Sequence, residues 1–203
     1  MVFMTGCALP DKPVRAQAYD LVLAPTSPAT LAATALPGAN VAPGASAQVA
    51  LVLPEMEASA ALDSNAMLYR LAFANPQALS PYASARWSMA PAQLLRQRLR
   101  DQLGQNRVVL TGYEAAPASA WLVRTELDEF AQVFESANQS QGQIRLRATV
   151  TQAGVQGEKL LGQRSFVVQR PAATADAPGG ARALAQAADA LAQELDQWLR
   201  QLR

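Results

Sequence analysis

Ile144-Arg145-Leu146-Arg147-Ala148-Thr149-Val150-Thr151 decides the fold class. Four apolar side chains alternate with four polar ones, the pattern of a strand whose sheet is packed on one face and wet on the other. Downstream, Gln152 to Gly157 holds two glycines and reads as a turn, and Leu160 to Val168 returns as the next strand. Upstream, Trp121, Val123 and Leu127 share one face of a longer strand, whereas Phe130 and Phe134 fall on the opposite phase. One extra residue near Asp128-Glu129 would bring all five to the same side, so a β-bulge is expected there. Three consecutive strands of this kind make a meander.

Working outward, Tyr19 to Leu23 is a short β-prone run ended by Pro25. Residues 24–46, rich in Ala, Pro, Thr, Ser and Gly, read as a long connection. Gln48 to Met56 is a second strand with Pro54 marking an edge or an end. Ala66 to Phe73 is a third, with Met67, Tyr69, Leu71 and Phe73 on one face and Asn65 near a hairpin turn before it. Ser88 is the expected N-cap of a helix with Pro91 in its first turn, a Leu95, Leu99, Leu103 stripe and a closing Gly104. Val108 to Leu110 is another short strand, and Pro171 to Gly180 reads as a loop. A final helix carries Leu184, Ala188, Leu191, Leu195, Trp198 and Leu202 at spacings of four and three. That stripe must pack on the sheet or, as the alternative, on a partner helix. The expected fold class is α/β in the broad sense, a mixed α+β domain over residues 19–203. Its mixed six- to seven-stranded sheet carries two main helices.

Composition closes several functions. The 203 residues hold 17 basic and 16 acidic side chains, so no whole-chain field gathers nucleic acid. There is no histidine and one cysteine, which removes His-dependent catalysis, internal disulfides and Cys/His metal cages. No phosphate-cradling glycine motif and no apolar run long enough for a membrane-spanning helix are present. Neither lysine, Lys12 or Lys159, lies in a Ser-x-x-Lys pattern. Glu126 and Asp128 stand two apart on a strand and read as a solvated face rather than a catalytic pair. The expectation is a protein with no catalytic residues, no metal and no cofactor.

The chain opens Met1-Val2-Phe3-Met4-Thr5-Gly6-Cys7. An apolar stretch closing in small residues before a cysteine resembles the lipobox of bacterial lipoproteins, here Met4-Thr5-Gly6-Cys7. The resemblance implies a covalent lipid at Cys7, and several acyl chains anchor stably where one binds only marginally. Ala8 to Ala18, with two prolines and no periodicity, suits a tether. Residues 1–18 thus read as the end of a lipoprotein signal, lipobox and tether; a buried or free cysteine is the other reading. Ala8 after the cysteine resembles lipoproteins sorted to the outer membrane.

From Leu68 to Leu103, the sequence Tyr82, Arg86-Trp87, Pro91 and Leu94-Leu95 resembles the auxiliary lipoproteins of ABC-type transport systems. In that family a β-hairpin runs into a tyrosine and a tryptophan before a Pro-initiated helix. The likeness extends through Leu127-Asp128-Glu129-Phe130 to the terminal helix near Trp198. It is similar to PqiC-like membrane-integrity subunits. That implies an outer-membrane-anchored accessory subunit facing the periplasm, whose partners are an MCE-domain protein and its ABC permease and ATPase in lipid transport. A homo-oligomer is left open. Tyr82, Arg86 and Trp87 are candidate partner contacts, since Trp, Tyr and Arg dominate interface hot spots; the alternative is that they fix the loop into the helix. A periplasmic lipid-binding shuttle is the competing function.

Overall fold

The computed structural model describes residues 15–21, 48–112, 116–154 and 157–202. Along the chain run β1 (Gln17–Tyr19), β2 (Leu51–Val52), β3 (Glu57–Ala58), a single 3-10 turn at Ala60–Leu62, β4 (Ala66–Leu71) and β5 (Ser80–Trp87). There follow α1 (Pro91–Leu103), β6 (Val109–Leu110), β7 (Trp121–Ser136), β8 (Gln139–Gly154), β9 (Gly157–Pro171) and α2 (Ala177–Leu199). The result is one mixed α+β domain, with two helices on a curled sheet of nine strands, four of them only two or three residues long.

β7 is the spine. Along one edge it pairs antiparallel with β8, which pairs antiparallel with β9, giving the expected meander. Its other edge is too long for any one partner here and takes three short strands end to end, all parallel. Leu51 pairs with Trp121, Glu57 with Glu126 and Tyr69 with Gln132. Outside these, β6 lies parallel to β2, β5 antiparallel to β4, and β1 parallel to β5. The β7–β8 register shifts between Leu127 and Glu129, as the hydrophobic phase required. Val123, Leu127 and Phe130 are buried on the core side as a result, opposite Ile144, Leu146, Ala148 and Val150 of β8.

Both helices cover this face. Leu95 and Leu99 of α1 and Leu184, Ala188, Leu191 and Leu195 of α2 are fully buried, and α2 packs on β8, β9 and α1. The terminal stripe therefore docks on the sheet. Small residues let α2 come close. A methyl carbon at Gly142 of β8 would lie 2.6 Å from the Leu184 backbone nitrogen, so helix and strand backbones meet there.

Several expectations are corrected. Gln48 to Met56 is not one strand: Pro54, with no N–H to donate, separates β2 from β3. Asn65 does not turn a hairpin between those strands and β4, because β2, β3 and β4 each run parallel to β7. Its carbonyl instead accepts from Trp87 N at 2.8 Å. Leu71 and Phe73 do not join Met67 in the core; β4 ends at Leu71, and both side chains are exposed. The first strand is Gln17–Tyr19, with Leu21 buried just beyond it. Ser88 is not the N-cap of α1: the cap is Ala90, with Pro91 at the helix start. The Pro171 to Gly180 loop is shorter than expected, since Asp176 caps α2 by accepting from Gly179 N at 2.8 Å.

Candidate functional site

Tyr82, Arg86 and Trp87 all lie on β5, but they do not form one surface. Ala66 pairs with Arg86 while Leu68 pairs with Pro81, so two steps along β4 match five along β5. The three surplus residues invert the side-chain phase, and Tyr82 and Trp87 both turn toward the core. Trp87 is wholly buried, edge-on to Phe130 with ring centroids 5.3 Å apart. Its indole N–H has no hydrogen-bond partner. Arg86, the neighbour of Trp87 on the opposite face of the strand, is exposed. Of the three, Arg86 is exposed, Tyr82 half-buried and Trp87 enclosed.

Tyr82 is half-buried and belongs to a polar chain that runs under the start of α2. Its hydroxyl donates to Gln132 Oε1 at 2.7 Å, and Gln132 Nε2 donates to Ser140 Oγ at 2.8 Å. Gln132 is fully buried, so both of its polar ends need these partners. Gly180 lies against the same amide, where any side chain would collide with Gln132. Burial pushes the Tyr82 phenol up to about 12, helped by the nearby Asp176 carboxylate and Tyr69. Asp176 itself is held below its usual value, first by the Thr174 hydroxyl and then by Gly179 N–H. Tyr69 packs on Tyr82 at 4.7 Å and edge-on to Phe134 at 6.1 Å.

On the opposite face of the sheet the charges neutralise one another across strands. Glu126 faces Arg147 at 3.2 Å, and Glu129 is held by Arg70 at 2.9 Å and lies 3.7 Å from Arg145. Asp128 is the bulge residue and is exposed. Glu126 and Asp128 therefore belong to a solvated strand face. The β4–β5 hairpin, fastened where Arg70 Nη1 donates to Pro76 O at 2.7 Å, exposes Leu71, Phe73 and Leu79 at its closed end. Arg86 stands at the hairpin's other end. Among the described residues, no group of His, Cys, Asp or Glu could hold a metal ion, and no helix is long and apolar enough to cross a membrane. Cys7 and the tether as far as residue 14 lie outside the described residues, while Gln17 and Ala18, expected as the end of the tether, belong to β1.

Sequence reasoning passed over Gln132, Ser140 and the close approach at Gly142. Gly179-Gly180 was the available signal: two glycines just inside a helix mark a close contact as readily as a loop.

The sequence profile of the family described as ABC-type transport auxiliary lipoprotein component matches residues 30–196. A crystal structure of a Xanthomonas campestris protein superposes with a TM-score of 0.63 at 21% identity, covering 75% of this chain and 85% of that one. A second crystal structure, of an uncharacterized protein, gives 0.61 at 14% identity over 75% and 93%. At these identities the two structures share the fold. No curated protein matches this chain.

Proposed function

We propose a function from one premise: this chain belongs to the family of ABC-type transport auxiliary lipoprotein components. The proposed role is a non-catalytic accessory subunit, lipid-anchored through Cys7 at the outer membrane and facing the periplasm. It would hold an MCE-domain protein, with its ABC permease and ATPase, by protein contacts in lipid transport. The observation that carries the reading is the extent of the match, which runs from before β2 to near the end of α2 and so takes in the spine and both helices. Exposed Arg86 at one end of the β4–β5 hairpin and exposed Phe73 at the other are of residue types enriched at interfaces. Anchoring confines the domain near its partner and raises the effective concentration of that contact.

A lipid shuttle would need an apolar cavity between sheet and helices. Leu95, Leu99, Leu191, Leu195, Ile144 and Leu146 fill that space, each with no exposed surface.

The test is affinity purification from native membranes with Cys7 intact, beside Cys7→Ser and Arg86→Glu. The expected outcome is acylated Cys7, co-purifying MCE and ABC subunits, soluble protein for Cys7→Ser, and loss of partners for Arg86→Glu with the membrane anchor kept. An unacylated protein that brings down no transporter subunit overturns the reading.

A further inference from the structure

A cleft of about 440 Å³ opens between the C-terminal end of α2, the approach to β2 and the start of β7. Gln48, Val49, Arg107, Trp121, Leu199, Arg200 and Leu202 line it. Two features set it apart from an ordinary surface depression. The Arg107 side chain is 2% exposed, yet its Nε–H has no hydrogen-bond partner. Gln48 Oε1, in the same cleft, is also buried without one. A buried guanidinium N–H left unpaired costs free energy, which an acceptor in the cleft would recover once the Arg107 side chain turns toward it.

The charge arithmetic gives the sign of that acceptor. Arg107 and Arg200 both bind the Asp196 carboxylate, one on each oxygen, so two cations share one anion. The cluster keeps a net positive charge, and Arg107 retains one unpaired charged donor, its Nε–H, of the kind that binds a carboxylate or phosphate. Val49, Trp121, Leu199 and Leu202 supply apolar walls beside it. The volume suits a small ligand, not an enclosed two-chain lipid.

We propose that this cleft binds the head and first carbons of an anionic amphiphile, an acidic group on an aliphatic chain. The head accepts from Arg107 Nε–H, and the chain leaves between Trp121 and Leu202. The Gln48 amide takes a hydroxyl of the head, or turns to donate to it. This site is separate from the proposed partner contacts on the hairpin, and it stands or falls independently of the transport reading.

The experiment titrates the purified full chain with laurate and, in a separate arm, dodecyl phosphate, both below micelle formation, with dodecyl maltoside as the neutral control. Tryptophan fluorescence and calorimetry read binding, and Trp121→Phe assigns the fluorescence change to the cleft. Saturable one-to-one binding of an anionic probe is expected, with the preferred arm identifying a carboxylate or a phosphate head. Arg107→Gln should weaken it about tenfold or more. Gln48→Glu, nearly isosteric, should abolish it while keeping the thermal midpoint, because it places a fixed anion in the cleft. It guards against Arg107→Gln merely failing to fold. Equal binding of dodecyl maltoside, no saturable binding of either anion, or unchanged binding by Gln48→Glu overturns the proposal.

Discussion

Tyr82 donates its hydroxyl to Gln132 Oε1 at 2.7 Å, across the sheet from β5 to β7 and beneath the first turn of α2. The contact ties a residue half-open to solvent to one wholly enclosed. Removing the hydroxyl leaves a buried amide oxygen unsatisfied. Tyr82→Phe should therefore cost about 1–3 kcal/mol in urea unfolding, more than deletion of an exposed hydroxyl. The same environment gives a pH signature. The phenol is raised from 10.0 to about 12 by burial first. Above 10.0 the unfolded chain releases this proton before the folded one does. The stability it contributes is thus full below 10.0 and is lost as pH rises toward about 12. Comparing the alkaline unfolding of wild type and Tyr82→Phe should show that loss only in the wild type.

The glycines under α2 provide a second check. At Gly142 the obstacle is the Leu184 backbone, which cannot rotate away, so Gly142→Ala should destabilise by about 1–3 kcal/mol. At Gly180 the obstacle is the Gln132 amide, locked by Tyr82 and Ser140. Gly180→Ala and Tyr82→Phe should then be non-additive, because each displaces the same side chain. Gly112→Ala, with nothing within 4 Å of the added carbon, should be close to neutral. Additive costs at Gly180 and Tyr82 would show that the amide is not their shared element.

Asp176 makes the start of α2 sensitive to acid. The Thr174 hydroxyl and Gly179 N–H bind its ionised form and hold its pKa below 3.8. A lowered carboxylate pKa contributes stability above the unfolded value, and that contribution disappears as pH falls through the folded one. Asn is an equally good N-cap without the charge. Asp176→Asn should keep most of the thermal midpoint at neutral pH and lose part of the decline below 3.8. Glu158, also lowered, by Arg124 first, will retain its own share of that decline.

Legibility in the sequence followed the regularity of each element. Ile144 to Val150 and Leu184 to Trp198 hold one period throughout, so both strand and helix could be read directly. β5 could not. Ser80-Pro81-Tyr82-Ala83-Ser84-Ala85-Arg86-Trp87 changes phase partway, so no single alternation runs through it, and the hairpin entered only through resemblance. Nearness in sequence groups Tyr82, Arg86 and Trp87 as a trio, whereas in the fold Trp87 is buried and Arg86 lies outside. As sequence, Gly179 and Gly180 suggest a loop, because glycine usually interrupts helices. Here their lack of a side chain is what admits the helix.

The bulge at Asp128 offers the most severe prediction. It is the one residue that converts the Trp121-to-Leu127 phase into the Phe130-to-Phe134 phase, and its own side chain is exposed. Asp128→Ala should therefore change stability by no more than about 0.5 kcal/mol. Deleting Asp128 should do far more. It would turn Phe130, Gln132 and Phe134 away from the core, or force β8 to slip against β7 and expose Ile144 and Leu146 instead. Either route buries charge or exposes aromatic surface, and a loss beyond about 4 kcal/mol, enough to abolish cooperative unfolding, is expected. Thermal unfolding of the two variants side by side decides it. A deletion that melts like the wild type would mean that neighbouring backbone, rather than Asp128, absorbs the change of phase.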